Sequence, residues 1–357
     1  MKRKTLLFTL AAVGAVAIAT VVGAWYWISG PMYSPGMVRD SQDLSAPLTA
    51  TTQDDEAALW PMEPGIALAH FAAGEGRPVL VIHGGPGIPF VEPLTGLGPL
   101  ENAFSFHYYA QRGCGESTRP FDRFAASDTY ASLTQLERTL GIGAQLADIE
   151  RIRQILGEER LILIGHSWGG LLATLYAVEF PDQVEALVLI APADMLVMPA
   201  PDGQPDLFAT VRGRLPSERQ AEYDAFVTDY LDFGRLFEKS ETELEAQQAQ
   251  FGEYYQLAVG FAPPDGGQPG GWMAMAQYLS LGQHHDFRSA LRAVQAPVQV
   301  VHGADDLQSV TATQRYVDAL PHATLMVLDG AGHFPFEQQP EAFARAVAEF
   351  LAPYAGR

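Results

Sequence analysis

The chain has 357 residues, a formal net charge of −20 and a hydrophobic fraction of 48%. An apolar share of that size fills a large core and excludes general disorder, and the acidity excludes nucleic acid as a partner because no basic patch can neutralise phosphates. A single cysteine, Cys114, rules out an intrachain disulfide.

The N-terminus reads as a targeting segment. Lys2, Arg3 and Lys4 precede an uncharged stretch from Leu6 to Ile28, with Trp25, Tyr26 and Trp27 at its far end. At about 1.5 Å per helical residue, this stretch matches the roughly 30 Å hydrocarbon core. The reading is a single-pass transmembrane anchor over residues 1–28, a membrane partner through that helix, and a catalytic domain outside the cytoplasm. The alternative is a signal peptide cleaved near Val22-Gly23-Ala24, which would secrete the same domain. Residues 29–58 hold Gly30, Pro31, Pro35, Gly36 and Pro47 without a sustained hydrophobic period and read as a tether.

Strand and helix patterns then alternate. Short apolar runs at Ile66–Phe71, Val79–Ile82, Phe104–Tyr109 and Leu161–Ile164 predict strands, as do Ala186–Ile190, Val298–Val301 and Thr324–Leu328. Leu146, Ile149, Ile152 and Leu156 share a helical face, and Ala342–Leu351 closes the chain with a helix. Near-continuous apolar strands separated by helices predict a mostly parallel sheet covered on both faces. From 193 to 290 strand signals vanish, and segments such as Glu218–Phe233 and Glu241–Leu257 predict a helical cap. The core is then 59–192 together with 291–357.

Gly165-His166-Ser167-Trp168-Gly169-Gly170 stands between the run ending at Ile164 and the helical run from Leu171. A serine between glycines at a strand-to-helix turn is the pattern of a nucleophile elbow. A serine hydroxyl needs a base, and the base needs an acid to orient it. Both follow at predicted strand ends: Asp305-Asp306 after Val301-His302-Gly303-Ala304, and His333 within Gly330-Ala331-Gly332-His333-Phe334-Pro335. Either aspartate could serve; Asp306 is favoured because it lies three residues past Gly303. The catalytic set is Ser167, Asp306 and His333. His83-Gly84-Gly85-Pro86-Gly87 follows another strand, and the backbone N–H groups of Gly85 and Trp168 are the candidate oxyanion donors.

These motifs resemble the α/β-hydrolase superfamily and, more narrowly, the prolyl aminopeptidase group, which includes the tricorn-interacting aminopeptidases. The resemblance covers about residues 60–355. It rests on His83–Gly87, on Gln111-Arg112-Gly113-Cys114-Gly115-Glu116-Ser117 and on the elbow hexapeptide. It implies an α/β-hydrolase fold with an inserted helical cap and an acyl-enzyme route on a small ester or amide, with release of N-terminal proline as one such reaction. Ala110, His166 and Ala191-Pro192-Ala193-Asp194 depart from the group's usual pattern. Acidic cap residues hold the substrate's amino terminus in that group; Glu218, Glu222, Asp224, Asp229, Asp232 and Glu253 read here as solvated helix faces.

The expected partner is a small-molecule or short-peptide substrate, with no cofactor and no metal. His284-His285-Asp286 has no second ligand cluster and reads as a surface or hinge element. A general esterase, lactonase or amidase is the alternative within hydrolases. A non-catalytic ligand-binding module on the same fold is the alternative outside them.

Overall fold

The computed structural model describes residues 30–40, 48–53, 58–124, 128–201, 203, 206–263 and 266–356. Eight strands form one sheet in the order β1-β2-β4-β3-β5-β6-β9-β10. They are β1 (Leu59–Glu63), β2 (Ile66–Ala73), β3 (Arg77–Ile82), β4 (Phe104–Tyr109), β5 (Leu161–His166), β6 (Val184–Ile190), β9 (Val298–Gly303) and β10 (Ala323–Leu328). The pairs β1–β2 and β2–β4 are antiparallel, and the pairings from β4 through β10 are parallel. All six residues of β5 are buried, which explains why its sequence is a continuous apolar run rather than an alternating one.

Helices cover both faces. One apolar layer packs α3 (Ile142–Ile155) and α4 (Trp168–Glu179) through Leu146, Ile149, Leu171 and Leu175. The opposite layer packs α9 (Pro340–Leu351) through Phe343, Val347 and Leu351. Between β6 and β9 lie α5 (Leu207–Arg214), α6 (Ser217–Tyr230), α7 (Glu241–Val259) and α8 (Trp272–Leu281). Their cluster of Tyr223, Phe226, Tyr230, Leu244, Tyr254 and Met273 is separate from the two sheet layers and rests on Leu136 and Leu140 of α2 (Thr129–Leu140). At the stem of this insertion, β7 (Val197–Met198) pairs with β8 (His285–Asp286). The His284–Asp286 segment is therefore part of a stem: both ring nitrogens of His285 face carbonyls, of Leu281 at 2.9 Å and Met195 at 2.7 Å.

The transmembrane helix expected over Leu6–Ile28 lies outside the described residues, as does the alternative cleavage site. Among the described residues no helix is long and apolar enough to cross a membrane. The longest, α7 with 19 residues, carries Glu241, Glu243, Glu245 and Glu253, whose charges are costly in hydrocarbon. The fold class is accordingly corrected: the described residues form an α/β-hydrolase fold with no membrane-spanning helix among them. The described residues likewise give no support to the single-pass placement or the membrane partner.

Part of the segment read as a tether is docked. Tyr33 and Val38 are fully buried, the latter in α1 (Met37–Asp40). The buried Glu179 carboxylate, at the C-terminus of α4, accepts from Tyr33 Oη at 2.8 Å and from the N–H groups of Gly36 at 2.8 Å and Arg39 at 3.1 Å. The N–H groups of Met32 and Tyr33 donate to Ser280 O near the end of α8. A local hydrophobic period could not reveal this, because the contacts are made mostly by backbone N–H groups to a distant carboxylate.

Candidate active site

The elbow forms because its glycines admit backbone where a side chain would collide. A Cβ at Gly165 would lie 2.4 Å from the Gly169 carbonyl oxygen, and one at Gly169 would lie 2.1 Å from that of Ile82. This approach turns the chain sharply from β5 into α4 and places Ser167 at φ 53°, ψ −117°. A non-glycine residue at positive φ is held by its surroundings at a cost of about 1–3 kcal/mol. Here the Ser167 N–H donates to Ile190 O at 2.8 Å, and Ser167 O accepts from Ala193 N–H at 2.9 Å. As the residue before the helix, Ser167 also accepts from Gly170 and Leu171. Trp168 begins α4, so its N–H has no partner within the helix and sits at the positive end of the helix dipole.

The His83–Gly87 loop lies directly against the elbow. A Cβ on Gly84 would come within 2.8 Å of Ser167 Cβ and 3.0 Å of His166 O. Gly85, exposed and at φ +118°, is the next residue. His83 is fully buried and shapes the loop: its Nε2 accepts from Gln111 N–H at 3.1 Å and its Nδ1 donates to Gly84 O at 3.0 Å. Burial pushes its pKa down to about 4, keeping the ring neutral and that tautomer in place. Gln111 returns a bond from Nε2 to His83 O at 3.0 Å.

Asp306 and His333 are brought together at the ends of β9 and β10. Gly303 permits it, since a Cβ there would stand 2.1 Å from Gly332 O. His333 Nδ1 lies 2.8 Å from Asp306 Oδ2, and Asp306 Oδ1 accepts from Gln308 N–H at 3.0 Å. Burial tends to raise the Asp306 carboxyl, but the His333 charge and hydrogen bond, with His302 and Gln308, bring it below its ordinary value. The Asp306 side chain is fully buried, whereas Asp305 is exposed. The geometry therefore pairs His333 with Asp306. With Nδ1 engaged, Nε2 is the nitrogen left for proton transfer.

His166 ties the histidine loop to the elbow. Its Nε2 donates to His333 O at 2.8 Å, and the two rings stand 4.9 Å apart. Burial and the neighbouring His333 charge lower its pKa to about 3, so it stays neutral. The residue that departs from the aminopeptidase pattern is thus a brace, a role invisible without the fold.

Several insertion residues abut this centre. The Tyr255 ring meets His333 edge-on at 5.8 Å, and Phe261 lies 5.8 Å from Phe334. Trp168 Nε1 donates to Gln277 Oε1, and the Trp168 ring meets Tyr278 at 5.3 Å. Gln248 Nε2 donates to Pro86 O at 3.2 Å. The acidic residues named above are engaged elsewhere or exposed: Glu222 pairs with Arg219, Asp224 with Arg212 and Asp229 with Lys239. Asp232 caps Gly234, Glu218 meets Ser217, and Glu253 is exposed. Arg112 of the Gln-Arg-Gly motif points into the protein, with Nε and Nη2 each 2.6 Å from Asp148. Among the described residues no group of three His, Cys, Asp or Glu is placed to hold a metal ion.

The family model described as alpha/beta hydrolase fold matches residues 77–340. A proline iminopeptidase of Heyndrickxia coagulans is 25% identical over 295 residues, 78% of this chain and 91% of that protein. Among solved structures, a proline iminopeptidase of Mycobacterium smegmatis aligns with a TM-score of 0.52 at 21% identity, covering 81% of this chain and 95% of that one. A thermophilic esterase from Thermogutta terrifontis aligns with a TM-score of 0.53, also at 21% identity, over 81% and 94%. These two share the fold. With the family model spanning most of the chain, this protein belongs to the α/β-hydrolase family.

Proposed function

We propose that this protein is a serine hydrolase that cleaves a small ester or amide through an acyl-enzyme. The observation that carries the reading is the junction of three loops: Ser167 in a strained elbow, the Gly84–Gly85 backbone against it, and His333 bonded to Asp306 at 2.8 Å. Ser167 Oγ attacks the substrate carbonyl while His333 Nε2 takes its proton. The Gly85 and Trp168 N–H groups hold the oxygen that becomes negative. Collapse of the tetrahedral species breaks the bond to the alcohol or amine, which leaves with the proton from His333. Water then repeats the sequence on the acyl group, with the same histidine as base, and frees Ser167.

The 25% identity to a proline iminopeptidase supports release of an N-terminal residue from short peptides as the specific activity. A general esterase, lactonase or amidase is the second reading. It is favoured by the neutral aromatic groups, Tyr255 and Phe261, beside the histidine loop and by the outward pairing of the insertion's acids. Comparing prolyl and other aminoacyl arylamides with short-chain nitrophenyl esters separates the two. Fluorophosphonate labelling tests the shared chemistry: wild type is labelled and Ser167→Ala is not. Labelling that survives in Ser167→Ala, or absence of labelling in the wild type, sinks the acyl-enzyme and leaves a ligand-binding role.

A further inference from the structure

The nucleophile and the acid reside on loops from different strands, and one glutamine side chain links them. Ile190, the last residue of β6, and the loop 191–194 after it grip the elbow from one side through the Ser167–Ile190 and Ala193–Ser167 hydrogen bonds. Within this loop Ala191 is itself at φ 41°. On its other side, Gln308 Nε2 donates to Pro192 O at 2.6 Å, and Gln308 Oε1 accepts from Asp194 N–H at 2.9 Å. The backbone N–H of the same Gln308 donates to Asp306 Oδ1. Nε2 also reaches Thr313 Oγ1 at 3.3 Å, and that hydroxyl lies 2.9 Å from Nδ1 of buried His302.

We propose that Gln308 is a positioning residue for the reaction, tying the Asp306 loop to the loop that braces the Ser167 backbone. One imidazole must reach the acid and the nucleophile together. The span between their loops therefore decides whether His333 can serve both, and a misplacement of 1 Å can cost about 10²-fold in rate. An amide suits this place because it donates to one carbonyl and accepts from one N–H. A carboxylate loses the donor, and a thioether loses both strong bonds. The proposal rests on the acyl-enzyme reading for its kinetic consequence but not for its structural one.

The test compares Gln308→Met, which keeps length without the amide, and Gln308→Glu, which keeps only the acceptor. Kinetics on the better nitrophenyl ester or arylamide are read beside the downfield proton resonance of the His333–Asp306 hydrogen bond, assigned by its loss in Asp306→Asn. Thermal melting supplies the folded fraction. The expected result is a fall of about 10- to 100-fold in kcat per folded molecule, with KM within twofold. The downfield resonance should broaden or move upfield in both variants. A glutamine that merely stabilises the loop would lower the melting temperature and leave kcat and the resonance unchanged, which overturns the proposal. If the wild type shows neither turnover nor Ser167 labelling, the acyl-enzyme reading fails by itself. The resonance then decides: displacement upholds the link, and persistence overturns it.

Discussion

At the scale of single residues, the two adjacent aspartates test the assignment most directly. Asp306 has its carboxylate on His333 Nδ1, whereas Asp305 is exposed and uses its backbone N–H on Ala331 O. Asp306→Asn presents an amide that can no longer impose the required tautomer, and kcat should fall by about 10⁴. Asp305→Asn should stay within twofold of wild type in the same assay. Gly84 offers a second test. An added Cβ meets Ser167 Cβ at 2.8 Å, so Gly84→Ala must push the 83–87 loop, the proposed oxyanion loop, away from Ser167. Loss of one donor's alignment predicts a kcat about 10²–10³ lower, measured with KM on an ester substrate. The glycines themselves were legible in the sequence, because steric demand at a tight turn selects a residue type locally. Which aspartate points inward was not, since that depends on how β9 packs beside β10.

At the scale of elements, the N-terminal strap and the α2–α8 contact carry ionisable groups with measurable consequences. Glu179 closes α4 at the opposite end from Ser167 and holds residues 33–39 by charged hydrogen bonds. Tyr33→Phe removes one of these bonds from a buried carboxylate and should cost about 1.5–3 kcal/mol in urea unfolding. The strap precedes residue 77, where the family match begins, and its backbone-to-carboxylate bonding has no periodic signature. Glu137, on α2, accepts from Ser280 Oγ at 2.8 Å through Oε1, while its buried Oε2 has no hydrogen-bond partner among the described residues. Burial lifts this carboxyl up to about 7, with the Ser280 bond opposing only in part. A carboxyl raised on folding binds more protons in the native chain than in the unfolded one, so stability falls as pH climbs from about 4.5 to about 7. Glu137→Gln abolishes that loss. Its stability relative to wild type should therefore rise across this window, by up to about 3 kcal/mol at alkaline pH, as read by chemical denaturation at several pH values.

At the scale of the whole molecule, the Gln-Arg-Gly motif does work that its sequence conceals. Arg112 is buried, joins Asp148 of α3 through two nitrogens and reaches Glu63 of β1 at 2.7 Å and Thr139 O of α2 at 3.0 Å. Arg151 adds a contact to Asp148 at 2.9 Å. The network thus joins the antiparallel edge of the sheet to two helices. Asp148→Ala strands a buried guanidinium and should destabilise the protein by about 3–5 kcal/mol in denaturant, leaving turnover per folded molecule near that of wild type. The motif marks family resemblance through packing, and the loops of the candidate site lie at the ends of other strands.

The amino-acid sequence by itself determined the alternation of strands and helices, the elbow at Ser167, the glycine loop at 83–87 and the order of serine, acid and histidine. Each follows from local rules: apolar periods, close backbone approach, and turns that admit glycine alone. Tertiary structure decided which partners those residues take. His333 meets Asp306 across 27 positions, His166 reaches the His333 carbonyl across 167, and Tyr33 finds Glu179 across 146. Pairings over such distances are set by the register of strands and the packing of helices on the sheet, which no short stretch of chain contains. The same limit separates chemistry from specificity. Ser167 and His333 sit on motifs of a few residues, while the surroundings of His333 are assembled from α7, β5 and loops scattered through the chain.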